Sequence, residues 1–80
     1  MWLYESQKKY DLALKQYQKT LLLNNQLGGA YYHMGVIYYK QLNMLQAELN
    51  FKKALEKKYE FGELYNYLGL VFEKKNDFFF

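Results

Sequence analysis

The chain repeats itself at a step of 34 residues, and this step limits its fold more than any single motif does. Gly35 recurs as Gly69, 34 positions on. The same shift carries Tyr31 to Tyr65, Met34 to Leu68, Tyr38 to Phe72, Lys40 to Lys74 and Gly28 to Gly62. Run backwards, it carries Tyr38 to Tyr4, Ala47 to Ala13, Phe51 to Tyr17 and Leu55 to Leu21. Self-similarity at a step of about 20–50 residues marks units that cannot bury their apolar faces alone and do so by stacking on their neighbours.

Within each step the rhythm is helical. Tyr10, Ala13, Leu14, Tyr17 and Leu21 follow the i, i+3, i+4, i+7 spacing of one buried helix face. Tyr31, Met34, Gly35 and Tyr38 repeat it, as do Met44, Ala47, Phe51, Ala54 and Leu55, and then Tyr65, Leu68, Gly69 and Phe72. Strand alternation appears over no comparable length. The spacing predicts five short helices, at 1–7, 10–23, 29–41, 44–58 and 62–75. Asn24-Asn25 and Gly28-Gly29 favour turns and helix ends. Asn43 is placed to cap the helix after it, and Asp77 to cap one that barely begins. Short connections make neighbouring helices antiparallel. A glycine inside a helix costs about 1 kcal/mol relative to alanine. Two of them one step apart therefore predict that a partner helix passes too close for a side chain, with Ala13 and Ala47 on the facing helices. Tyr31, Tyr38 and Phe51 would fill the space above and below.

The segment Tyr31-x2-Met34-Gly35-x2-Tyr38, followed by Ala47-x3-Phe51, resembles the tetratricopeptide repeat. Tyr65-x2-Leu68-Gly69-x2-Phe72 is similar to the first half of that repeat again, and Tyr10-Asp11-x-Ala13-x3-Tyr17 to an earlier second half. The pattern departs from the family where its closing proline is replaced by Asn25 and by Tyr59. It departs again where the glycine of the first inter-helix turn is replaced by Leu42. The resemblance implies an all-α chain of antiparallel helix hairpins stacked as a short right-handed α-solenoid. Residues 1–27 would be the end of a first repeat, 28–61 a complete one and 62–80 the start of a third. The packing positions it implies are Tyr4, Ala13, Tyr17, Tyr31, Met34, Gly35, Tyr38, Ala47, Phe51, Ala54, Tyr65, Leu68, Gly69 and Phe72. Register also predicts a fragment of a longer array, or ends covered by self-association, with Phe78-Phe79-Phe80 entering a further helix.

Composition narrows the function. The 80 residues allow one compact unit, one that buries about 60–65% of its unfolded surface. Hydrophobic residues at 51% and aromatic residues at 21% exclude a disordered chain. No cysteine is present, so disulfides, thiolate metal sites and a cysteine nucleophile are excluded. The net charge is +3, and all 11 basic residues are lysine. The absence of arginine, the usual bidentate reader of phosphate and guanine, disfavours nucleic acid as a partner. No apolar run approaches the ~20 residues that cross a bilayer, and the opening Met1-Trp2-Leu3-Tyr4-Glu5 lacks the features of a secretory leader. A cytoplasmic location is expected.

In this family the first helix of each pair lines a concave groove. The residues of those helices off the buried stripe are Trp2, Glu5, Gly29, Tyr32, His33, Val36, Tyr39, Lys40, Asn66, Leu70 and Glu73. Aromatic and apolar at the centre and charged at the edges, they suit an amphipathic helix or an extended apolar peptide from another protein. The competing expectation is that Tyr32 and Tyr39 are half-buried by their neighbours. Tyr32 and Val36 stand where a clamp for a partner's terminal carboxylate would want polar groups, which argues against that activity. His33 has no cysteine and no second histidine to join it in a metal site. Glu48, Glu56, Glu60 and Glu63 form no pair in an apolar pocket, and Lys52 and Lys53 are expected to meet Glu48 and Glu56 as exposed helix pairs. No catalytic residue, metal or cofactor is expected. The leading function is a non-catalytic protein-binding scaffold. The alternatives are an RNA-binding helical-hairpin repeat and a self-associating structural unit.

Overall fold

A computed structural model describes residues 2–60 and 62–77, with side chains for 7–60 and 62–75. The side chains of Trp2, Tyr4 and Glu5, and all of Phe78–Phe80, lie outside the described residues. Four helices follow in order: α1 (Trp2–Leu23), α2 (Gly28–Lys40), α3 (Met44–Glu56) and α4 (Gly62–Asp77). No strand occurs among the described residues.

The first two expected helices are one. Where the register places a turn, Gln7-Lys8-Lys9 continues the helix. These residues are good helix formers, and no glycine or proline interrupts them. The equivalent positions 34 residues on, Gln41-Leu42-Asn43, do make a turn. Asp77, expected to open a new helix, is instead the last residue of α4.

Two helices end in the same way without glycine. After α2, Asn43 N–H bonds the Tyr38 carbonyl at 2.8 Å and Leu42 N–H bonds that of Tyr39 at 3.0 Å. After α3, Tyr59 N–H bonds the Ala54 carbonyl at 2.9 Å and Lys58 N–H bonds that of Leu55 at 2.8 Å. This paired motif needs a left-handed residue after the cap, and Leu42 (φ 63°) and Lys58 (φ 65°) supply it. The motif explains why α3 stops at Glu56, two residues before the expected end, although no proline follows. Asn43 caps α3 as expected, its side chain accepting from Gln46 N–H at 3.3 Å. At the end of α1, the Asn24 side chain accepts from Gln26 N–H at 3.0 Å and turns the chain.

The helices bury residues at 34-residue intervals. Ala30, Met34 and Ile37 are buried on α2, and Leu64, Leu68 and Val71 on α4. Tyr10, Ala13, Tyr17 and Leu21 of α1 pack with Met34 and Ile37. Their equivalents Met44, Ala47, Phe51 and Leu55 of α3 pack with Leu64, Leu68 and Val71. Ring contacts repeat too. Tyr17 stacks on His33 with centroids 5.6 Å apart and planes 14° apart. Phe51, one step on, stacks on Tyr67 at 5.6 Å and 20°. Gln41 Nε2 donates to Oε1 of Gln7, its own equivalent, at 3.0 Å. Each helix contacts the next, and α2 also contacts α4. The molecule measures 41 × 34 × 18 Å; the shortest dimension is about that of two packed helices.

Glycine packing departs from expectation in two ways. Gly35 is buried, but it faces the Phe51 ring and not an alanine: a Cβ there would come within 2.7 Å of ring carbons. Gly69 is exposed, and a Cβ built on it meets none of the described residues within 4 Å. Tyr65 and Phe72 on the same stripe are about half exposed. The covering helix is what differs: α3 lies over Gly35, whereas among the described residues no helix lies over Gly69. The face α4 turns to the core is carried by Leu64, Leu68 and Val71, and spacing alone picked out only Leu68.

Candidate partner-binding surface

Aromatic residues of α2, α3 and α4 meet in one continuous layer. Tyr32 is its hub, with ring centroids 5.2 Å from His33, 5.3 Å from Tyr59, 6.0 Å from Phe51 and 6.2 Å from Tyr67. Tyr39 meets Tyr67 edge-on at 5.5 Å. Such tilted and edge-on contacts are the arrangements that ring quadrupoles favour. Tyr32, expected in the groove, is therefore a core residue, 7% exposed. Val36 and Tyr39 are half-buried against the same core. Of the other groove candidates, His33, Lys40, Asn66, Leu70 and Glu73 are exposed on α2 and α4, while Gly29 is half-buried beside the Tyr59 ring.

At the end of this layer Tyr32, Tyr59, Gly62 and Glu63 line an open hollow of about 460 Å³. The Tyr32 hydroxyl donates to Glu63 Oε2 at 3.1 Å. Burial, with help from that bond, pushes the Tyr32 phenol up from 10.0 to about 12. At ordinary pH it is a fixed neutral donor, far from the range in which a phenol serves as general acid or base. The hollow thus offers aromatic faces beside a carboxylate. The spacing in the sequence does not mark Tyr67 or Tyr59 as site residues. Tyr67 was detectable as the equivalent of His33, one step on.

A second, smaller hollow of about 260 Å³ is lined by Leu45, Glu48, Leu49, Lys52 and Lys75. Lys52 Nζ lies 2.9 Å from Glu48, and Lys75 Nζ of α4 donates to the other Glu48 oxygen. Glu48 was expected in an exposed pair, but its side chain is only 13% exposed and is shared between two lysines on two helices. These lysines, Lys52 first, hold its carboxyl below the usual carboxylate range. Lys53, expected to meet glutamate, lies over the Tyr31 ring at 5.7 Å.

Among the described residues no three His, Asp or Glu side chains come together as metal ligands would, and no helix is long and apolar enough to cross a membrane. No protein-family model matches the chain, and no curated protein matches it in sequence.

Proposed function

We propose that this chain is a tetratricopeptide-type segment that acts in the cytoplasm as a non-catalytic scaffold for other proteins, with its helix pairs stacked as a short right-handed solenoid. The observation that carries this reading is the recurrence of the stacked pairs Tyr17–His33 and Phe51–Tyr67, one step apart and alike in distance. Like contacts one step apart are what stacked units would repeat. The contact between α2 and α4 agrees with it, since first helices of successive pairs are neighbours in such a stack.

The partner is an amphipathic helix or extended peptide lying across the exposed residues of α2 and α4. Its anchor is a basic or long apolar side chain seated between the Tyr32 and Tyr59 rings and Glu63, where ring faces and a carboxylate both attract a cation. No cofactor takes part. Variants must avoid Tyr32 and Tyr39, whose loss would damage the core. Lys40→Glu and Leu70→Asp change only exposed groups, while Glu63→Lys also removes the acceptor of the Tyr32 hydroxyl, so its circular dichroism is compared with the wild type's. Affinity capture with the intact chain is expected to retain a defined set of proteins and to lose them with Glu63→Lys and Leu70→Asp. Identical capture by the wild type and all three variants would reject the groove.

A further inference from the structure

The hollow at the end of the aromatic layer draws its walls from three places in the chain. Tyr32 comes from α2, Tyr59 from the turn after α3, and Gly62 and Glu63 from the first turn of α4. Left-handed Lys58 and the bond from Tyr59 N–H to the Ala54 carbonyl fix the Tyr59 backbone. Gly29 lies beside the Tyr59 ring, where a Cβ would stand 3.4 Å from it. Tyr32 is buried and held at its hydroxyl by Glu63. The site is therefore largely formed before any ligand arrives. It lies where α2 and α4 begin. The contacts of Gln7 with Gln41 and of Lys75 with Glu48 mark the opposite end of the molecule.

Three features select the guest. The Tyr32 and Tyr59 rings have centroids 5.3 Å apart and planes tilted by 32°. A cation lying over the pair comes within reach of both, since ring quadrupoles attract positive charge within about 6 Å of a centroid. Glu63 is the charged group among the described lining residues. Its full negative charge exceeds the partial positive charge, about half a unit, at the start of α4, so a cation is favoured over an anion. One Glu63 oxygen already accepts from the Tyr32 hydroxyl. A primary ammonium brings three donors, and leaving water for this hollow would strand some of them. A trimethylammonium carries the same charge, has no donor to satisfy and turns methyl groups to the rings.

We propose that the hollow seats the trimethylammonium end of a methylated lysine presented by a partner protein, in preference to unmodified lysine. This rests on the reading of the hollow as the partner's anchor point and narrows its chemistry. Its volume of about 460 Å³ falls within the range of ligand sites, about 300–1,000 Å³. Because the hollow is open, it admits a side chain still attached to its backbone, whereas free small ligands are enclosed over most of their surface.

Heteronuclear NMR titration tests it, with the amides of Gly29, Gly62 and Glu63 as reporters. The probes are N-acetyl-trimethyllysine methylamide, its unmethylated lysine counterpart, its neutral tert-butyl counterpart and tetramethylammonium. The trimethyllysine probe is expected to shift these amides and to bind about threefold or more tighter than the lysine and neutral probes. Glu63→Gln keeps an acceptor for the Tyr32 hydroxyl and removes the charge. It should weaken that probe by about threefold or more while circular dichroism stays that of the wild type. Tyr59→Leu should weaken it likewise. Equal affinity for lysine and trimethyllysine, an unchanged affinity in Glu63→Gln, or no shift at tens of millimolar probe overturns the proposal. Tetramethylammonium binding more tightly than the trimethyllysine probe also overturns it and assigns the hollow to a free small cation. Leu70→Asp, outside the hollow, separates this proposal from the groove. If the probe fails while protein capture still depends on Leu70, the methyl-lysine assignment falls and the groove stands. If the probe binds as expected while capture is the same in wild type and Leu70→Asp, the groove falls and the hollow stands.

Discussion

Gly35 and Gly69 occupy equivalent places in the repeat and have opposite surroundings. Beside Gly35 the Phe51 ring is wholly buried and held by Tyr32 and Tyr67, so it has little room to give way to a methyl group. Gly35→Ala gains helix propensity of about 1 kcal/mol but overpacks the core, at a cost of about 1–3 kcal/mol. A net loss is expected. At Gly69 the same change meets none of the described residues and collects the propensity. Urea unfolding at low micromolar concentration should show Gly69→Ala more stable by about 0.5–1 kcal/mol and Gly35→Ala less stable. Equal shifts of the same sign in the two variants would contradict the packing described.

The C-terminal ends of α2 and α3 are each decided by one residue in an uncommon conformation. Leu42 and Lys58 hold φ near +60°, where a Cβ crowds the backbone. Both are exposed, so their side chains contribute little packing to offset that strain. Leu42→Gly and Lys58→Gly each relieve it, and the gain is reduced by glycine's larger unfolded-state entropy. The expected net is a stabilisation of about 0.5–1 kcal/mol for each variant, seen as a higher urea midpoint with an unchanged slope. Leu42 was legible in the sequence as a missing glycine. Lys58 was not, because the family pattern directs attention to the absent proline near Tyr59.

Across the whole molecule, α2 is the element that the others share, since it alone of the four helices meets each of the other three. Phe51 and Ala47 of α3 join it to α4, while α1 is held to it through the smaller cluster around Leu14, Met34 and Ile37. Glu48 adds a polar tie between α3 and α4. Its folded-state pKa lies below the ordinary 4.5, so the folded protein binds this proton less readily than the unfolded chain. The stabilisation is complete above the unfolded pKa and is lost as pH falls through the folded one. The melting temperature of the wild type should therefore drop as pH is lowered beneath about 4.5. In Glu48→Gln that drop should be shallower, and thermal scans from neutral pH downward will compare the two slopes. Equal slopes would show that Glu48 keeps no preference for its charged form on folding.

Sequence alone sufficed for the helical class, the 34-residue step, the cap at Asn43 and the tight packing at Gly35, because each depends on spacing or on the chemistry of one residue. It also identified which positions are equivalent. Burial of those positions was not so determined. Gly69, Tyr65 and Phe72 lie open although Gly35, Tyr31 and Tyr38 are covered, and Tyr32 sits in the core although it lies off the apolar stripe. Tertiary structure decided these points, along with the continuity of α1 and the sharing of Glu48 between two helices. Burial is set by what lies across from a residue, and a neighbour from another helix leaves no mark in the local spacing.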